Sequence, residues 1–267
     1  MAVKLDDVRK GNMVSFSKDI VDIDVSKSER IYNKSLSRGN QLKWYKDSLF
    51  IKLDCLGYES IAEAAVSHFI EYTDLPKEER VIYHLCRVIE DGVFLGNGCF
   101  SYDYVHGDRE VTISKVLDMY LQSYAIHYDD LRDLLIDTIH YDCKPFVDRL
   151  LCLDSITRND DRHFKNIILC QKSDGTYRGV IADNGGACMS DMISYPMEQK
   201  FLDNFNSIQA KPFSVKFEAQ LHNPLPLLVD YTGYVNSICY NSKVEKRAVD
   251  TILQGLKLME GIAWERV

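Results

Sequence analysis

Short runs of alternating or β-branched apolar residues dominate the first hundred positions, and helical spacing dominates the rest of the chain. Met13–Phe16 and Ile20–Val25 read as short strands rich in Val and Ile. A polar loop, 34–40, leads into a strand over Gln41–Tyr45. Lys46-Asp47 then turns the chain into Ser48–Leu53, where Leu49, Ile51 and Leu53 share one face and Phe50 and Lys52 the other. In Glu59–Glu71, Ile61, Ala62, Ala65, Val66, Phe69 and Ile70 recur at helical spacing. Val81–Ile89, the turn Asp91-Gly92 and Val93–Val105 predict a β-hairpin.

From about His106 the pattern turns mostly helical: Ile113–Ala125, Leu131–His140 and Phe146–Ile156. A β-type passage interrupts it, Asn166–Gln171 and Tyr177–Ala182 joined by a Ser173-Asp174-Gly175 turn. The remainder, Lys243–Trp264 included, reads as helical again. The expected fold is α+β and two-lobed, with a β-rich N-terminal lobe over 1–105 and a mainly helical lobe over 106–267. With no repeat and no separate linker, the lobes are expected to share a cleft, a favoured place for small-molecule sites.

Composition narrows the function. The chain has 267 residues and a net charge of −8. That balance argues against a protein whose main work is holding nucleic acid, which needs clustered cations, and offers no polybasic anchor for an anionic membrane. No apolar run is long enough to span a bilayer, and the first residues hold no apolar signal core. The eight cysteines are scattered without a C-x-x-C pair, several inside apolar runs such as Leu151-Cys152-Leu153. They read as reduced, small hydrophobes of a cytoplasmic protein.

The candidate chemistry lies in Arg158-Asn159-Asp160-Asp161-Arg162-His163-Phe164-Lys165-Asn166 and, one hairpin later, in Ala182-Asp183-Asn184-Gly185. Phosphoryl transfer needs a carboxylate to orient the attacking hydroxyl and oxygen ligands to hold Mg²⁺ against the phosphates. Asp161 suits the first role; Asn166, five residues on, and Asp183 suit the second. Asn184-Gly185 is expected to supply the backbone freedom of a metal-facing turn. Asp and Asn in such loops are also ordinary turn residues; their order at opposite ends of one hairpin, behind a β-rich lobe, favours chemistry.

Two further features belong with that reading. Lys52 sits in the apolar strand Leu49-Phe50-Ile51-Lys52-Leu53, where an inward ammonium needs a partner. Glu59 and Glu63 share one face of the following helix. Glu63, set among Ala62, Ala64 and Ala65, is the expected partner, with Glu59 the alternative. The polar loop around Ser37, Gly39, Asn40 and Gln41 is able to aim N–H groups at phosphate oxygens, although it is neither a Walker loop nor a G-x-G-x-x-G loop.

Together these pieces resemble the HipA-like serine/threonine kinases and their compact CtkA-type relatives, over about Ser35 to Phe217. The family's phosphate loop is matched by Ser37-Arg38-Gly39-Asn40-Gln41-Leu42-Lys43, its strand lysine by Lys52, its catalytic loop by Asp161-Arg162-His163-Phe164-Lys165-Asn166, and its metal motif by Ala182-Asp183-Asn184-Gly185. The resemblance implies that Asp161 is the base and that Asn166 and Asp183 bind Mg²⁺. It further implies that Lys52 contacts the α/β phosphates of ATP and that a hinge near Phe100 and Tyr102 reads adenine through the backbone. His163 stands where it would either donate to the transferred phosphate or brace the loop. Ser35 or Ser37 is an expected autophosphorylation site.

A protein substrate is expected. The sequence leaves no room for the extra N-terminal subdomain of toxin-length members, which counts against an antitoxin-like regulatory partner and a toxin role. A phosphatidylinositol-kinase-like or small-molecule kinase is the enzymic alternative, and a catalytically inactive kinase-fold binding module the non-enzymic one.

Overall fold

A computed structural model describes residues 20–31, 41–120, 126–222 and 227–259. The expected strand Met13–Phe16 and the residues Ser35, Ser37, Gly39 and Asn40 lie outside the described residues.

The fold is α+β. Strands β1 (Val21–Asp24), β2 (Glu29–Arg30), β3 (Lys43–Lys46), β4 (Leu49–Leu53), β5 (Tyr83–Glu90) and β6 (Val93–Tyr102) form one sheet, in the order β1-β5-β6-β4-β3-β2. All pairings in it are antiparallel except β1 with β5. Both tight hairpins turn through left-handed pairs: Asp47 and Ser48 at φ 50° and 63°, Asp91 and Gly92 at φ 50° and 78°. Such pairs match the right-handed twist of the flanking strands. One face of this sheet buries Val21, Ile23, Trp44, Ile51, Val88 and Phe100.

The other face receives helix α1 (Glu59–Ile70), which packs on β5 and β6. Its Ala62, Ala65, Val66, Phe69 and Ile70 join the main core, made with helices α4 (Lys144–Thr157) and α7 (Lys243–Leu258). Alanines on α1 let the helix approach closely on several sides at once, so almost all of it is buried. Between α1 and α4 run β7 (Arg109–Thr112), α2 (Ile113–Tyr120) and α3 (Tyr128–Ile139). Strands β8 (Ile168–Gln171) and β9 (Tyr177–Val180) follow α4 and complete a second sheet, β7-β8-β9. A small core of Val81, Tyr83 and Cys99 with Ile168, Val180 and Ala182 joins the two sheets. The β-rich and helical parts are therefore packed together directly.

Two expectations need correction. Arg109–Thr112 is a strand, although the sequence reads as mostly helical from His106. Its short alternating pattern becomes a strand only because β8 supplies a partner. Among the described residues from Asp183 to Asp230 the chain is mainly loop, holding the short α5 (Phe201–Ser207) and a 3-10 turn before α6 (Tyr231–Ser237). Gly185, Gly186, Pro196 and Pro212 break helical continuity there. Helix α7 begins at Lys243 as expected and is described as far as Leu258. Six of the eight cysteines are buried, Cys55 and Cys239 being the exposed ones. No helix among the described residues is long and apolar enough to cross a membrane.

Candidate active site

Strand β4 aims Lys52 away from the Ile51 side, toward α1. Its ammonium donates to Glu63 Oε1 at 2.5 Å and to Asp183 Oδ1 at 2.8 Å, and lies 4.6 Å from the centre of the Tyr83 ring. The expected pairing with Glu63 is the one observed. Glu63 is fully buried, and its second oxygen accepts from the Asn184 N–H at 2.9 Å. Glu59, the alternative partner, instead accepts from the backbone N–H groups of Leu56 and Gly57, closing the loop that enters α1. Lys43, opposite Lys52 in the β3–β4 register, brings a second ammonium to 3.5 Å from Asp183 Oδ2.

Lys52 and Asp183 hold each other ionised. Burial would lower the pKa of Lys52, but the carboxylates of Asp183 and Glu63 outweigh it and keep it well above the usual lysine value. Burial likewise pushes Asp183 up, and Lys43 and Lys52 overcome it, holding the carboxyl well below the ordinary range.

The loop bearing Asp161 leaves α4 through Arg158, which has a left-handed φ of 54°. Asn166 then folds back on that loop: its Nδ2 donates to the Asp161 carbonyl at 2.9 Å. Arg162, fully buried, ties the loop to the metal-motif turn. It is paired with Asp154 of α4 and donates to the carbonyls of Asn166 and Ala182, each at 2.9 Å, and to Asn184 Oδ1 at 2.7 Å. Asp183 itself carries the left-handed backbone, φ 58°, and neither Gly185 nor Gly186 does. The freedom expected of Asn184-Gly185 is therefore taken up one or two residues earlier, by a non-glycine. Gly186 serves close approach instead, since a Cβ there would stand 2.6 Å from Asp161 Cβ.

His163 has neither ring nitrogen hydrogen-bonded, so its ring does not brace the loop; Nε2 lies 3.9 Å from Asp161 Oδ1. Burial pulls its pKa below the ordinary histidine value. Burial raises that of Asp161, against the pull of His163 and Lys211. An open cleft runs between Gln41 and Glu59 on one side and Asp160, Asp161, Asp183 and Gly186 on the other.

The structure thus brings Lys52, Glu63, Asp161, His163, Asn166 and Asp183 together, with Gln41 at the rim. The side chains of Phe100 and Tyr102 turn away from Lys52, and the contact expected of them runs through their backbone. They pair with Ile51 and Leu49 across β4, on the face opposite Lys52. Phe100 is buried in the outer core with Tyr102 packed against that cluster. The residues on the Lys52 side of β6 are Cys99 and Ser101, opposite Lys52 and Phe50. Sequence reasoning missed Asp154, Arg162, Gly186 and Lys211. The one available signal was a carboxylate, Asp154, inside the apolar run of α4.

The donor set can be tested against a divalent cation. With its nitrogen bonded to the loop, Asn166 has Oδ1 to offer, and Asp183 is held ionised. Among the described residues no three His, Cys, Asp or Glu cluster to cage a metal. A two-oxygen set suits Mg²⁺, which keeps waters and takes phosphate oxygens as its remaining ligands.

No protein-family model and no curated protein sequence matches the chain. Among solved structures, the Helicobacter pylori proinflammatory kinase CtkA superposes with a TM-score of 0.57 at 14% identity, covering 90% of this chain and 97% of that one. The chain has the CtkA kinase fold. HipA of the Shewanella oneidensis MR-1 toxin–antitoxin system, solved with HipB and operator DNA, aligns with a TM-score of 0.44 at 10% identity. That alignment covers 87% of this chain and 65% of HipA.

Proposed function

We propose that the chain is an ATP- and Mg²⁺-dependent phosphotransferase, and specifically a protein serine/threonine kinase. The observation that carries this reading is the Lys52 ammonium bonded at once to Glu63 of α1 and Asp183 of the metal-motif turn. It is a cation fixed by two carboxylates, beside a second turn bearing Asp161 and Asn166. Lys52 and Lys43, both on Asp183 now, exchange that carboxylate for phosphate oxygens when nucleotide enters, leaving Asp183 to a cation. Mg²⁺, held by Asp183 and Asn166 Oδ1, would neutralise the β- and γ-phosphate charge. Asp161 orients the acceptor hydroxyl and takes its proton as the new O–P bond forms and the β–γ bridge breaks. His163, whose ring nitrogens are buried without a hydrogen-bond partner, would donate to the transferred group only on turning its ring toward the cleft.

A protein acceptor is favoured over a lipid by the net charge of −8 and the lack of a basic membrane-docking segment in the sequence. Ser35 or Ser37, in the two-serine stretch of the phosphate loop, is proposed as a self-modification site whose added charge would repel ATP phosphates. Mass spectrometry after long incubation with Mg-ATP tests it; two unmodified serines would remove it.

The test of the main reading is incubation with γ-labelled ATP, Mg²⁺ and cell lysate. Label is expected on protein, and Asp161→Asn should lower transfer by about 10²–10⁴-fold while leaving nucleotide binding in place. Full activity of that variant, or label confined to lipid or small molecules, would overturn the corresponding assignment.

A further inference from the structure

One cation near the reacting groups has no part in the transfer as described. Lys211 places its ammonium 3.9 Å from Asp161 Oδ1, on the carboxylate that Lys43 and Lys52 do not touch. That distance is an ion pair without a hydrogen bond, and the Lys211 side chain is 41% exposed. Pairs of this kind contribute little to stability, about 0–1 kcal/mol. Holding the fold together does not account for it.

The backbone beneath Lys211, by contrast, is firmly anchored. Ile208, Ala210 and Phe217 are buried, and the Ala210 N–H donates to the Val215 carbonyl at 3.0 Å. Phe213 meets Phe164 of the catalytic loop edge-on, 5.6 Å between ring centres, and Tyr128 at 5.5 Å. Phe217 and Phe205 each stand 4.6 Å from the Arg158 guanidinium at the start of the same loop. An aromatic-pinned segment therefore carries the long, partly solvated Lys211 side chain to the side of Asp161.

We propose that Lys211 is a further catalytic residue, one that contacts the phosphoryl group in transit and offsets the repulsion between it and the Asp161 carboxylate. This rests on the kinase reading. A flexible stem ending in a compact charge with three donors suits a group that moves by an ångström or more during transfer. Lys43 and Lys52 hold the nucleotide's own phosphates, and Lys211 serves the acceptor side. The balance of the step is unchanged: the acceptor oxygen bonds phosphorus, ADP leaves with the bridging oxygen and its electrons, and Asp161 receives the proton.

The experiment compares the intact chain with Lys211→Met, Lys211→Arg and Asp161→Asn, following ADP formation and labelled phosphate transfer with Mg-ATP. Lys211→Met is expected to lower kcat by about 10²–10³-fold, as removal of one charge-stabilising donor does. KM for ATP and the thermal stabilisation by Mg-ADP should stay near wild type, and Lys211→Arg should recover at least about tenfold of the loss. A Lys211→Met enzyme with unchanged kcat, or one that loses ATP affinity with kcat intact, overturns the assignment of Lys211 alone. A wild-type chain that turns over no ATP and matches Asp161→Asn overturns the kinase reading, and this role with it.

Discussion

The Arg162 guanidinium meets the Asp154 carboxylate through two parallel hydrogen bonds, Nε to Oδ2 at 2.9 Å and Nη2 to Oδ1 at 3.0 Å, both side chains being fully buried. The remaining donors of Arg162 hold the carbonyls of Asn166 and Ala182 and the side-chain oxygen of Asn184. The pair therefore fixes the distance between the loop bearing Asp161 and the turn bearing Asp183. Breaking a buried pair by removing one partner leaves an uncompensated charge and costs about 3–5 kcal/mol. Asp154→Asn is expected to lower unfolding free energy by that amount in urea titration. It should also slow phosphate transfer under conditions where it remains folded. A loss below about 1 kcal/mol would show the pair to be solvated.

Gly186 and Gly185 make a paired comparison. A methyl on Gly186 collides with Asp161 Cβ at 2.6 Å, whereas one on Gly185 has its nearest neighbour, Glu59 Cβ, at 3.4 Å. Gly186→Ala should therefore displace Asp161 and lower kcat by about 10²-fold, the effect of a misplacement of about 1 Å. Gly185→Ala should lose far less. Steady-state rates of the two variants check this, and equal losses would refute it.

Removing Lys52 strands Glu63, which has no solvent and, among the described residues, the Asn184 N–H as its other hydrogen-bond partner. Lys52→Met is expected to abolish the thermal shift produced by Mg-ATP and to destabilise the free protein by about 3–5 kcal/mol. Glu63→Gln keeps the Lys52–Asp183 pair and should weaken nucleotide binding less. Calorimetric titration with Mg-ADP separates the two, and the reverse order would discount the Lys52–Asp183 contact.

Asp54 supplies a pH signature away from the cleft. Its carboxylate accepts from the Ser60 N–H at 2.6 Å and Oγ at 2.7 Å at the start of α1. Burial pushes its pKa up from 3.8 to about 6 in spite of those bonds. A folded pKa above the unfolded one means the folded state holds the proton more tightly. Its contribution to stability is therefore complete below about pH 4 and lost as pH rises through about 6. Asp54→Asn should melt above wild type at pH 7.5, with the difference closing toward pH 4. A gap that does not change with pH would contradict this.

The two-part organisation, both tight hairpins, α1 and the start of α7 were legible because each rests on local periodicity or turn chemistry. Val, Ile and Leu alternate where one face of a strand is buried, and Asp91-Gly92 accepts left-handed φ. Lys52 and Glu63 could be matched for a related reason: they lie eleven positions apart, and each is a charge in an apolar setting that demands compensation. Asp161, Asn166 and Asp183 were legible as a pattern of types and order.

What residue order alone left open is whatever depends on partners far along the chain. Lys52 and Asp183 are 131 positions apart, and Lys211 reaches Asp161 only because Phe213 and Phe217 settle against Phe164 and Arg158. Strand β7 waits on β8, and the side-chain faces of Phe100 and Tyr102 follow from the β4–β6 register. The sequence by itself determined which residues must be buried, turned or compensated, since those demands are local. Only the tertiary structure decided which partner answers each demand, because burial is non-directional while ion pairs and close contacts require particular atoms at particular distances.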